Sequence, residues 1–283
     1  MSALADVQDD VDTRGIRIPA VGVAPVALPL RYRDEETGAI VPVDAEACLV
    51  TDITSERRGT RMSRLTDVLA EGAREPVTAA ALLGWVDQAI ASVGIGTAWG
   101  QAAVRFRYHL AKPAPVTGVP GYVPYDVELR TSRRDRERRI GWRVTVPVTT
   151  LCPCSQSISE HGAHNQRCHI TISTAFRATK RYPSLGAFLT EAEMLGSCPL
   201  FSSLEQTDEK WVTETAWTRP KFVEDVLRDV VGWLSGRTDV TWFAVRVVSE
   251  ESIHPHNAIA YYDRAWADPA IVQPPLWAWE PWG

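Results

Sequence analysis

Between Thr149 and Arg167 the chain reads T-T-L-C-P-C-S-Q-S-I-S-E-H-G-A-H-N-Q-R, which gathers Cys152, Cys154, Glu160, His161 and His164 in one connection. Thiolate and neutral imidazole are preferred ligands of zinc and similar ions. Cys152 and His164 stand about twelve residues apart, so they meet if the connection folds back between two paired strands. C-x-C followed by H-x-x-H is not a structural zinc spacing, which uses C-x2-C pairs. A buried Cys pair beside a solvated His turn fits the same residues. Cys154 has a second possible role as a free thiol near an ion, nucleophilic or only adjacent. Cys48, Cys168 and Cys198 sit in apolar or strand-like surroundings and read as core.

Three other places offer partners. E-E-S-I-H-P-H-N-A, from Glu250, puts Glu251, His254 and His256 in one loop. A carboxylate three residues from an imidazole suits a proton relay in which the Glu orients the His; a solvated loop fits as well. Asp208-Glu209-Lys210 reads as a charged triplet in a polar connection between helices, and Glu224 falls near the start of a helix whose dipole favours an ionised carboxylate. R-R-G-T-R-M-S-R, Arg57 to Arg64, sets four arginines around a glycine before a helix. Guanidinium groups and helix-start amides both bind phosphate. A basic surface patch explains the same residues.

The elements that position these groups follow from periodicity. Strand-like stretches run over Val21 to Arg33 and Ala45 to Thr54, around an acidic turn at Asp34 to Gly38. Helices are expected at Ser63 to Glu71 and Thr78 to Val93, the second with Thr78 as N-cap. Strands with alternating apolar residues follow around Val104 to Leu110 and Tyr125 to Thr131. After a basic turn at Arg133 to Arg139 come strands Ile140 to Thr149 and Cys168 to Phe176, helices Ser184 to Gly196 and Pro220 to Ser235, and strands Val240 to Ser249 and Ala258 to Asp263. Each half thus reads strand-strand-helix-helix-strand-strand. That order predicts α+β modules whose helices lie on one face of an antiparallel sheet. The expected divisions are a mobile segment 1–20, modules 21–132 and 133–266, and a Trp/Pro-rich tail 267–283. The indoles of Trp277, Trp279 and Trp282 would pack that tail on the body or on another subunit.

Composition narrows the function. A net charge of -5 does not favour nucleic acid, so a polyanionic small ligand needs a local basic cluster. No apolar run is long enough to span a bilayer, and the acidic start lacks a signal-peptide pattern. A cytoplasmic location is expected. An odd count of five cysteines then argues for reduced thiols rather than a disulfide framework.

Taken together, the segments resemble GTP cyclohydrolase type IB, the prokaryotic second family of GTP cyclohydrolase I. The matching stretches are G-T-R-M-S-R-L from Gly59, V-T-T-L-C-P-C-S-Q-S-I-S from Val148, G-A-H-N-Q-R from Gly162, S-C-P-L from Ser197, D-E-K-W-V-T-E from Asp208, P-K-F-V-E-D from Pro220 and S-I-H-P-H-N-A from Ser252. The resemblance implies a bimodular tunnelling fold of two ββααββ modules, assembled as a homotetramer with sites at subunit interfaces. It puts Cys152, His164 and Glu209 on metal-ligand positions, for zinc, manganese or ferrous iron. Glu224 falls on the carboxylate that anchors guanine, where it can accept from N1–H and the exocyclic amine. Cys154, Glu251 and His254 fall in the catalytic neighbourhood, and Arg64 and Lys210 on triphosphate contacts.

The implied activity is hydrolysis of GTP to 7,8-dihydroneopterin triphosphate and formate by a metal-activated water. That reaction opens folate and pterin, or deazapurine, biosynthesis. Two features depart from the family pattern: Arg61 stands where His is common, and Glu205-Gln206 where Lys-Arg is frequent. The competing readings are another tunnelling-fold enzyme, such as an NADPH-dependent nitrile reductase, and a non-enzymatic metal-binding protein.

Overall fold

The computed structural model describes residues 8, 10–94, 96–177, 182–268, 270–271, 280 and 282. In chain order the elements are β1 (Ile18–Arg33), β2 (Ile40–Ile53), α1 (Met62–Gly72), α2 (Ala79–Val93), β3 (Trp99–Ala111), β4 (Tyr122–Arg134), β5 (Glu137–Leu151), α3 (Pro153–Ile158), β6 (Asn165–Phe176), α4 (Leu185–Glu193), β7 (Cys198–Pro199), α5 (Gln206–Thr218), α6 (Val223–Ser235), β8 (Val240–Ser249), β9 (Ala258–Asp263) and α7 (Arg264–Ala267). Eight strands form one antiparallel sheet in the order β1-β2-β3-β4-β5-β6-β8-β9, and the short β7 adds to β5. The chain passes from the first half of the sheet to the second through a tight turn at Asp135 and Arg136. There Asp135 takes φ 53°, a left-handed conformation that Asp tolerates.

Strand alternation decides which face the helices cover. Val127 and Leu129 of β4 join the main core with Leu82, Val86 and Ile90 of α2, and Ile170 and Ile172 of β6 share it with Val226 and Val230 of α6. The intervening residues make the other face polar. Glu46, Arg105, Glu128 and Arg143 lie directly opposite one another across β2, β3, β4 and β5, an alternating-charge row of the kind that favours strand pairing. Arg130 is fully buried on this face and bonds Glu128 at 2.5 Å and Glu280 at 2.7 Å. Trp282 packs near Cys48, Val50 and Ala103, and its indole donates to Glu128 at 2.9 Å. One expected indole contact of the tail is therefore made within this chain. Trp277 and Trp279 lie outside the described residues.

Within the segment expected to be mobile, the Gly59 amide donates to Gln8 O, Arg58 N to Asp10 O and Asp12 N to Glu56 O. Three expectations about the elements change. Asp208-Glu209-Lys210 is not a connection but the first turn of α5, a helix that the sequence reading lacked. The Cys–His connection also contains the short α3. Pro220, expected to open the last long helix, precedes Val223 by three residues, whereas Thr78 caps α2 as expected by accepting from Ala81 N at 3.0 Å.

Register places four hairpin loops, 34–39, 112–121, 152–164 and 250–257, along one rim of the sheet. The crossover from β6 to β8 folds back to that rim. There β7 lies on β5 and Ser197 N donates to Thr149 O at 2.8 Å. Gly196 permits this approach, since a Cβ there would come within 2.6 Å of the Val148 side chain.

Candidate active site

β5 and β6 run paired up to Leu151 and Asn165, and the next residues out are Cys152 and His164. Cys152 N donates to His164 O at 3.1 Å, so the two residues are joined through the backbone. Cys152 is also the N-cap of α3, with Pro153 in the first turn, where its missing N–H costs nothing. Its Sγ accepts from Ser155 N at 3.5 Å. Ser155 Oγ donates to Cys152 O and accepts from His164 N, both at 3.2 Å. Gly162, at φ 83°, supplies the left-handed residue that turns the chain back.

The imidazole is held as well. His164 Nδ1 lies 2.9 Å from Gln166 Oε1, while Gln166 Nε2 donates to Ser249 Oγ at 3.2 Å and to Glu251 Oε1 at 3.4 Å. Glu251 therefore bonds Gln166 rather than acting as the expected direct partner of His254. His254 instead stacks on His256, with ring centroids 5.1 Å apart, in an exposed loop.

The helix α5 is pinned beside this hairpin. Trp211 and Val212 pack with Leu151, Ala163 and Cys198, and Gln156 Nε2 donates to Trp217 O at 2.7 Å. Its N-terminus is fixed by Asp208, which is fully buried and accepts from Val116 N, Thr117 N, Thr117 Oγ1 and Glu205 N at 2.6–3.0 Å. Desolvation raises the Asp208 carboxyl, but these four bonds outweigh it and hold the group well below the usual carboxylate range. Glu205, a departure from the family pattern, is the N-cap residue of α5, where a negative charge suits the helix dipole and a Lys would not.

Glu209 follows in the first turn and is exposed; Lys210 is exposed and reaches Glu214 at 3.7 Å. Among the described residues no three His, Cys, Asp or Glu side chains converge closely enough to hold a metal ion. The structure joins Cys152 to His164 and leaves Glu209 on the adjoining helix. The donor chemistry fits all the same. A thiol, an imidazole and a carboxylate form a set that first-row divalent ions accept, and His164 already has a partner of the kind that orients metal-binding imidazoles.

The remaining candidates are more scattered. Cys154 is exposed on α3, and Glu224 is exposed in the first turn of α6. Arg64 lies on α1 in the other half of the sheet, where Nη1 donates to Ser92 O at 2.6 Å near the end of α2. Burial pushes the Cys48 and Cys168 thiols up to about 12 and that of Cys198 up to about 11, which makes them inert, as their core reading implied.

Sequence reasoning missed Gln166, Asp208 and a buried triad in which Lys112 Nζ meets both oxygens of Glu193 at 2.7 Å and Tyr125 donates to the same carboxylate. Lys112 also lies over the Phe201 ring at 4.3 Å, and Phe201 meets Trp211 of α5 edge-on. Asp208 and Gln166 both lie in stretches matched to the family, and Asp208 also stands three residues after Glu205, a helix-start spacing, but neither showed a role of its own.

Comparison with known proteins then bears on this arrangement. The family model described as type I GTP cyclohydrolase folE2 matches residues 4–260. The chain is 40% identical over 261 residues to a protein of Burkholderia ambifaria named GTP cyclohydrolase FolE2, covering 92% of this chain and 94% of that one. It is 36% identical over 264 residues to a protein of the same name from Herminiimonas arsenicoxydans, covering 93% and 98%. Among solved structures, uricase from Arthrobacter globiformis superposes with a TM-score of 0.53 at 10% identity, over 92% of this chain and 97% of that chain. The uricase likeness concerns the fold alone, an α+β tunnelling fold with the helices on one face of the sheet. The nitrile-reductase and non-enzymatic readings are not favoured. By the span of the family match and the identity to its relatives, the chain belongs to the type I GTP cyclohydrolase folE2 family.

Proposed function

We propose that the chain hydrolyses GTP to 7,8-dihydroneopterin triphosphate and formate, the first step of folate biosynthesis, at the rim that carries Cys152, His164 and Glu209. GTP cyclohydrolase activity follows from the family. The observation that carries the location is the backbone bond between Cys152 and His164, which brings a thiol and an oriented imidazole together at the end of paired strands.

Cys152, His164 and Glu209 would hold a divalent ion, zinc, manganese or ferrous iron. Such an ion would supply Lewis-acid activation of the water that attacks the purine. The chain's own groups do the rest. Glu224, in the first turn of α6, accepts from the two adjacent donors of the guanine edge and fixes the orientation of the ring. Lys210 and Arg64 balance triphosphate charge; because Arg64 stands on α1, its contribution implies a neighbouring subunit, in keeping with a homotetramer. Ring opening, loss of formate and reclosure each move protons, a task for His254, Glu251 and Cys154.

No helix of the described residues is long and apolar enough to cross a membrane, and a cytoplasmic enzyme fits that observation. The test is direct: purified protein is incubated with GTP and zinc or manganese, with formate and oxidised pterin fluorescence followed together. Release of both at equal rates is expected. GTP left intact with either metal would sink the proposal.

A further inference from the structure

We propose that Gln166 is a positioning residue. It holds His164 in the Nδ1–H tautomer, leaves Nε2 as the lone-pair nitrogen, and thereby sets the affinity of the Cys152–His164 pair for a divalent cation. The inference rests on the reading of those two residues as ligands.

The argument begins with the amide orientation. An ionised carboxylate only accepts, so the contact between Gln166 and Glu251 requires the NH2 end of the amide to face Glu251. The Ser249 hydroxyl, on the same side, accepts from that NH2 group. The carbonyl end is then committed to His164 Nδ1 at 2.9 Å. An amide oxygen cannot donate, so Nδ1 must carry the proton and Nε2 of the neutral ring must be bare. A flipped amide would set two acceptors against each other at Glu251.

The support is rigid. Gln166 pairs directly with Thr150 across β5 and β6, and Ser249 is buried at the end of β8, opposite Cys168. Ser249 Oγ also lies 3.4 Å from Thr150 Oγ1. Three strands thus fix the amide, and Glu251 acts on the imidazole only through it. Metal-binding imidazoles characteristically donate their second N–H to such a partner, and loss of the partner weakens binding.

Two variants test this. Gln166→Met keeps the length of the side chain and removes both hydrogen-bonding ends, whereas Gln166→Glu combined with Glu251→Gln keeps the acceptor toward His164 and moves the amide donor to the other side of the contact. Nitrogen-15 shifts of the His164 ring in metal-free protein report the tautomer without any turnover, and competition with a chromophoric chelator reports zinc affinity. The wild type should show a protonated Nδ1. Gln166→Met should lose that preference and bind zinc roughly 10–100-fold more weakly, and the double variant Gln166→Glu with Glu251→Gln should restore both. A wild-type ring protonated at Nε2, or Gln166→Met with unchanged tautomer and zinc affinity, overturns the positioning role. Cys152→Ala serves as the separate control. Unchanged zinc affinity there overturns the ligand reading and the affinity half of the proposal, while the nitrogen shifts still decide whether Gln166 orients the ring.

Discussion

The first hairpin of each half of the sheet solves the same backbone problem in opposite ways. Residues 34–39 join β1 to β2 through a short turn of three acids, the first of which is directed inward. Asp34 is buried and accepts from Glu36 N, Thr37 N, Thr37 Oγ1, Ser184 Oγ and Leu185 N at 2.9–3.2 Å. Residues 152–164 join β5 to β6 through a longer loop with its own helix, and its thiol and imidazole remain partly accessible. In one case the polar group is consumed by the structure. In the other, backbone bonds, a proline and a glycine make the turn, so the side chains are left for chemistry. A repeated scaffold can thus keep one copy of a loop for cohesion and open the other to a substrate.

That contrast predicts different failures. The largest effect is expected from Cys152→Ala and His164→Ala, which should reduce formate release to background while the thermal transition stays near that of the wild type; turnover of GTP by either variant would break the contrast. Asp34→Ala should do the reverse. It orphans donors of the turn and of α4, and should cost about 2–3 kcal/mol in denaturant unfolding with little change in kcat/KM. A selective loss of kcat/KM would show that the first hairpin also serves catalysis.

Gly162→Ala should cost about 1 kcal/mol through its left-handed backbone, because an added Cβ meets nothing within 4 Å. A smaller effect should appear only in acid. The folded-state carboxyl of Asp208 is depressed, so its contribution is complete above the unfolded value near 4 and fades as pH falls toward the folded value. The neutral Asp208→Asn should show a flatter acid limb in pH-dependent unfolding, and an unchanged limb would assign the acid sensitivity elsewhere.

The strands and the two-layer plan were legible because burial on one face writes a period of two into β3, β5 and β8, and a period near 3.6 into α2 and α6. The Cys152–His164 pairing was legible because both ends of the loop adjoin such strands. The helix α5 was not. Only Asp208 and Ala216 of it are buried, so its residues carry almost no apolar stripe, and its start is specified by a carboxylate whose donors lie some ninety residues away in sequence. The role of Gln166 was hidden for a related reason. An amide neither titrates nor alternates visibly, and its partners come from β5, β8 and the loops beside them, which only the register brings together.

The buried aspartates have a consequence for how the protein is made. Asp34 in the first half grips Ser184 and Leu185 of the second, and Asp208 of the second grips the 116–117 amides of the first. As the polypeptide leaves the ribosome, the early half emerges with a buried acid and two loop amides still awaiting partners that have yet to be translated. Neither half then satisfies its own buried polar groups, and the candidate rim is completed only when both reciprocal clasps close. Pulse-labelling hydrogen exchange during refolding would register that order as simultaneous protection of the Thr117 and Leu185 amides.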